Sequence, residues 1–138
     1  MQYSERVQVV EKFAQAVKTQ FPQVDRYNIL VFGSFLTERY SSDSDIDIGV
    51  FSLSPGIGFR LYSFTKEYFD NLGIPSDVVR MRLLDSQYIN VSIVLGQQYA
   101  VTDYCPQELI DYTKNMIEKY GDNPQEAILH KMRQEAVV

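Results

Sequence analysis

Gly33-Ser34-Phe35-Leu36-Thr37-Glu38-Arg39-Tyr40-Ser41-Ser42-Asp43-Ser44-Asp45-Ile46-Asp47 joins two stretches of opposite character. Upstream, Tyr27 to Phe32 is an unbroken β-rich run that suits a strand buried on both faces and ends at glycine. Downstream, Asp45-Ile46-Asp47-Ile48-Gly49-Val50 alternates polar and apolar with period two. Asp45 and Asp47 therefore leave one face of a strand about 7 Å apart. Aspartate is disfavoured in strands, and two side by side repel unless a cation intervenes. A solvated strand face is the plain alternative. The pair is also spaced to share two divalent ions roughly 3.5–4 Å apart, and Mg²⁺ accepts a few carboxylates completed by substrate phosphate oxygens.

Asp43, Asp45 and Asp47 also fit the first three ligand positions of a calcium loop. That loop needs glycine at position 6 and glutamate at position 12. Ile48 and Ser54 stand there, so the calcium reading fails. Gly33-Ser34 is the other half of a candidate site. Glycine lets the backbone approach a phosphate, the following amides can face it from a helix N-terminus, and Ser34 adds a hydroxyl donor. Alone, Gly-Ser is more often a plain turn.

Working outward, Val7, Val10, Phe13, Ala14, Val17 and Phe21 recur at helical steps, predicting a helix from about Ser4 to Gln20 that Pro22 stops. Ser54-Pro55-Gly56-Ile57-Gly58 reads as a loop, and Phe59 to Leu72 as a helix closed by Gly73. Ser76 to Leu84 reads as a strand, Ser86 to Leu95 as a helix, and Tyr99 to Thr102 as a short strand. Beyond Pro106 a helical face runs from Leu109 to Tyr120, and Asn123-Pro124 opens a last helix through Glu135. The order predicts an α+β fold of α/β-like layering, a mixed sheet flanked by helices with two C-terminal helices.

The 138 residues fit one domain, 1–138, with a motif-bearing core at 27–101 and a helical extension at 106–138. A net charge of −5 argues against attraction to a nucleic-acid backbone. A nucleotide met by acidic side chains would have to arrive with a metal ion. No apolar run is long enough for a membrane span, and residues 1–20 have no signal-peptide pattern. Cys105 has no cysteine partner in the chain and no nucleophile signature around it, so a cytoplasmic setting is expected. His130 lacks a partner at ligand spacing and reads as a surface or packing residue. Gly56-Ile57-Gly58 lacks the third glycine of a dinucleotide fingerprint. The 10 tyrosines read mostly as core or interface residues, with base stacking as the alternative.

Gly33-Ser34 followed by Asp45-Ile46-Asp47 resembles the minimal nucleotidyltransferases of the DNA polymerase beta superfamily, over roughly Tyr27 to Val101. The resemblance implies a third carboxylate on the next strand, and Asp77 in Pro75-Ser76-Asp77-Val78-Val79 holds the matching place, with helical Asp70 as its competitor. It implies Mg²⁺ or Mn²⁺ at Asp45, Asp47 and Asp77, ATP as the nucleotide, and phosphates gripped at Gly33, Ser34 and Arg39. Many minimal members carry arginine, arginine and glycine where this chain has Phe35, Thr37 and Glu38. Arg39, Lys66, Arg80 or Arg82 would then have to neutralise the triphosphate. The resemblance also implies an antitoxin that transfers AMP to a tyrosine of a HEPN-type toxin. A transferase for a small hydroxylated acceptor such as an aminoglycoside, and an idle module that works by contact alone, are the competing expectations. The C-terminal helices could pack on the domain, take a partner helix or make a homo-oligomer.

Overall fold

The apolar stripe Val10, Phe13, Ala14 and Val17 forms the buried face of helix α1 (Tyr3–Gln20), as its spacing predicts. The computed structural model describes residues 1–83 and 87–120. After α1 come β1 (Asn28–Phe32), β2 (Ile46–Phe51), α2 (Pro55–Leu72), β3 (Ser76–Met81), α3 (Gln87–Leu95), β4 (Tyr99–Ala100) and α4 (Gln107–Tyr120). The expected helix from Asn123-Pro124, with His130 on it, lies outside the described residues.

The four strands form one mixed sheet in the order β3-β2-β1-β4. β1 is antiparallel to both neighbours, and β2 runs parallel to β3 through the helical crossover α2. Period two then sorts the side chains. Ile46, Ile48 and Val50 of β2, with Ile29 and Val31 of β1, join Phe13, Val17, Leu61 and Phe69 of α1 and α2 in the larger core. Aromatic pairs fill it, Phe13 against Phe69 at 4.8 Å and against Tyr68 at 5.2 Å between centroids. Tyr27 and Tyr68 are thus packing residues. On the opposite face Leu30, Phe51 and Met81 meet Ile93 of α3 and Leu109 of α4 in a smaller core.

Three expectations change. Ser54–Gly58 is not a loop but the N-cap and first turn of α2. Ser54 Oγ accepts from the Ile57 N–H at 3.5 Å, and Pro55 takes the first helical position, where its missing N–H costs nothing. β4 stops at Ala100 instead of Thr102; the Val101 N–H still bonds Ile29 O at 2.9 Å, while the Thr102 N–H bonds the Asn28 side chain at 2.9 Å. β3 ends at Met81, and Leu84 lies outside the described residues. Among the described residues no helix is long and apolar enough to cross a membrane.

Candidate active site

The smaller face of the sheet carries the acidic residues. Asp47 stands second in β2 and is directly in register with Asp77, second in β3. In-register residues of neighbouring strands project to the same side, so the two carboxylates share a face. Asp45, just before β2, joins them from two positions back. The crossover through α2 thus places Asp77, not Asp70, beside Asp47; Asp70 is exposed on α2 in the opposite layer.

Asp47 is the most confined of the three. Its carboxyl is pushed up to about 6 by burial first, then by the charges of Asp77 and Asp45. Two residues further along β2 on the same side, Gly49 has no side chain, and a Cβ there would come within 2.9 Å of Ile93 Cγ2 and of Met81 Sδ. Gly49 lets Ile93 of α3 and Met81 close over the sheet two residues beyond Asp47.

Gly33 makes the other close approach. Its φ of +78° turns the chain out of β1, and a Cβ there would lie 2.0 Å from Asp47 Oδ2. Both facts demand glycine: the left-handed backbone, and the carboxylate seated over the Cα. Gly33-Ser34 and Asp47, 14 positions apart, are one structural unit. The Ser34 hydroxyl lies 3.4 Å from that of Ser44, which lies 3.2 Å from that of Ser41, so the start and end of the segment are linked.

No helix follows Gly33-Ser34, contrary to the expectation of a helix N-terminus. The segment is a succession of turns, with Thr37 N–H to Ser34 O at 3.0 Å and Tyr40 N–H to Thr37 O at 3.3 Å. The non-arginine residues have structural work here. Phe35 is fully buried in the larger core with its ring 5.6 Å from that of Tyr40. The Thr37 hydroxyl donates to Ser34 O at 2.9 Å and accepts from the Arg39 N–H at 3.2 Å.

Of the cations named as substitutes, Arg39 is exposed on this turn segment and stays a candidate. Lys66 is exposed on α2, which packs on the other face. Arg80 donates to Pro55 O at 2.7 Å, so it fastens the start of α2. Arg82 follows the end of β3, whereas Asp77 is near its beginning. Sequence reasoning missed two residues. Arg6 of α1 donates to Phe35 O and Thr37 O, and Gln98 donates to Gly33 O at 2.7 Å. Neither sits in a local pattern; the only signal of this kind was Gly49, a glycine inside a strand, which marks a close approach.

The donor set fits a divalent ion whose shell substrate phosphate oxygens would complete. Asp77 and Asp45 add to the cost of ionising Asp47 on that face, and Gly33 leaves the space in which Asp47 can reach the turn. Among the described residues no three acidic, histidine or cysteine side chains converge into a ready metal cage. Mg²⁺ needs no such cage when phosphate oxygens complete its shell.

No curated protein matches the chain. Among solved structures, a chain of "the toxin-antitoxin MntA-HpeT", crystallised with two aspartates two positions apart changed to glutamate, superposes with a TM-score of 0.57. The similarity covers 93% of this chain and 98% of that one at 17% identity, so it speaks to the fold. A family model described as "Nucleotidyltransferase domain" matches residues 10–100, which include Gly33, Ser34 and all three aspartates. That match spans more than half of the chain, and the chain belongs to the nucleotidyltransferase domain family.

Proposed function

We propose that this chain transfers AMP from ATP to a hydroxyl of a partner protein, as the antitoxin of a HEPN-type toxin pair. The observation that carries the transfer is the register of Asp47 with Asp77, with Asp45 on the same side and Gly33 beneath the Asp47 carboxylate. Asp45 and Asp47, assisted by Asp77, would hold Mg²⁺ or Mn²⁺. When bound, such ions neutralise the triphosphate and make the acceptor hydroxyl easier to deprotonate. Asp77, which is exposed on the edge strand, would take the acceptor proton. The acceptor oxygen bonds to the α-phosphorus, the bond to the bridging oxygen of the β-phosphate breaks, and pyrophosphate leaves. Ser34, the loop amides and Arg39 hold the phosphates in line, so that the protein contributes mainly positioning and fixed charge.

The protein acceptor is supported by the structural neighbour, which comes from a toxin–antitoxin pair and carries its changed aspartates at the spacing of Asp45 and Asp47. Incubation with labelled ATP, Mg²⁺ and the product of the adjacent gene should add one AMP mass per modified site. Asp47→Asn should abolish the addition without unfolding the chain. A contact-only role is favoured by one observation, the buried Phe35 and self-bonded Thr37 where arginines would face phosphate. Equal inhibition of the partner by wild type and Asp47→Asn, with no mass change in either, would establish that role in place of transfer.

A further inference from the structure

Arg6 sits in the first turns of α1 yet is only 8% exposed. Its Nη1 donates to Phe35 O at 2.5 Å and to Thr37 O at 3.3 Å. The guanidinium carbon lies 4.2 Å from the Tyr40 ring centroid and 5.5 Å from that of Tyr3. Its partners among the described residues are thus carbonyls and aromatic rings, none of them a carboxylate. Arg6 Nε is buried with no hydrogen-bond partner among the described residues. Burying an arginine without a counterion is costly, and α1 would pack through Val10, Phe13 and Val17 without it.

The peptide plane gives these contacts a consequence. A trans peptide carries its N–H on the side opposite its C=O. With the carbonyls of Phe35 and Thr37 drawn towards Arg6, the amides of Leu36 and Glu38 point away from it. Neither amide has a hydrogen-bond partner among the described residues. The Gly33 carbonyl is held in the same manner by Gln98 on the other flank, which directs the Ser34 amide away from Gln98. Amides fixed in one direction, beside a positive charge that no carboxylate among the described residues neutralises, form an anion-facing segment without a helix N-terminus.

We propose that Arg6 is the positioning residue of the phosphate-binding segment Gly33–Tyr40, replacing from beneath what loop arginines would supply from within. The proposal rests on the nucleotidyltransferase reading above. Its test separates the two by measuring two affinities in the intact chain: Mn²⁺ without nucleotide, by water-proton relaxation, and ATP with Mg²⁺, by calorimetry. Arg6→Lys keeps the charge but loses the planar guanidinium that lies against the Tyr40 and Tyr3 rings while its Nη1 reaches both carbonyls, and Arg6→Met loses the charge and the donors as well. ATP affinity should fall about tenfold or more in Arg6→Lys and further in Arg6→Met, because misplaced binding groups are costly. Mn²⁺ affinity should stay within about twofold of wild type, since the carboxylates ride on β2 and β3, not on α1. Should Arg6→Met fail to fold, Arg6→Lys decides alone. ATP affinity unchanged in folded Arg6→Lys overturns the proposal, as does a parallel loss of Mn²⁺ and ATP affinity, which marks a merely structural role. A wild-type protein that binds neither ligand removes the active-site reading and this proposal with it.

Discussion

Gly33–Thr37 and Ser54–Gly58 each leave a β-strand, each pair serine with glycine, and each then take a different course. At Ser54 the backbone is extended (φ −88°, ψ 115°), its Oγ caps Ile57, and its carbonyl accepts from the Gly58 N–H at 3.0 Å. Proline supplies a helical φ at the next position, so a helix starts despite two glycines in its first turn. At Gly33 the backbone is left-handed, and the carbonyls that a helix would use are already occupied. Ser34 O takes the Thr37 N–H and hydroxyl, while Phe35 O and Thr37 O go to Arg6. What distinguishes the two segments is competition for carbonyls, which a side chain 29 residues away wins in one case and the local backbone wins in the other. The first outcome leaves amides free for a ligand; the second turns them into helix.

The largest break in this comparison should come from Gly33→Ala. The left-handed backbone costs about 1 kcal/mol for a residue with a Cβ, and relieving a 2.0 Å contact with Asp47 adds roughly 1–3 kcal/mol. Urea denaturation should show that loss, and transfer should disappear because Asp47 is displaced. Gly33→Ala with wild-type activity would mean that Asp47 has no need of its place over the turn.

Asp47→Asn should next expose the strain among the carboxylates. The folded-state value near 6 lies above the ordinary 3.8, so Asp47 contributes most to stability when protonated, and that contribution is lost as pH rises from about 4 through 6. In chelator, the variant should therefore melt above wild type at pH 7 and at the same temperature near pH 4. A difference independent of pH would indicate that crowded charge is not what Asp47 experiences.

Smaller effects belong to the second segment. Ser54→Ala should cost about 1 kcal/mol through loss of the cap, with ATP binding unchanged. Gly56→Ala should do the opposite of Gly33→Ala, stabilising by up to about 0.5–1 kcal/mol, because the site is helical and a Cβ there meets nothing within 4 Å. Thermal melts of the two alanine variants side by side would sharpen the contrast. If both destabilise, the first turn of α2 has a role beyond helix initiation.

What the sequence determined by itself was whatever depends on near neighbours. The period-two run put Asp45 and Asp47 on one face, the three- and four-residue steps gave α1 and α4, and Gly73, with φ +69°, ends α2 as expected. Pairing Gly33-Ser34 with the aspartates was legible as well, not from Gly-Ser alone, which is more often a plain turn, but from its combination with Asp45-Ile46-Asp47 at the spacing of a known family. The start of α2 was readable in principle from Ser54-Pro55, but two glycines of low helix propensity obscured it. Tertiary structure alone decided the rest. Asp77 meets Asp47 only because β3 pairs parallel to β2 in one register, and a shift of one residue would send its carboxylate to the α2 face. Arg6, Gln98 and Ile93 reach the site from α1, from beside β4 and from α3, at separations of 29, 65 and 44 residues from the groups they touch. Contacts over such distances depend on how layers stack and leave no periodic trace along the chain, so the Asp45 and Asp47 pair could be read from the sequence and the residues packed around it and its neighbouring turns could not.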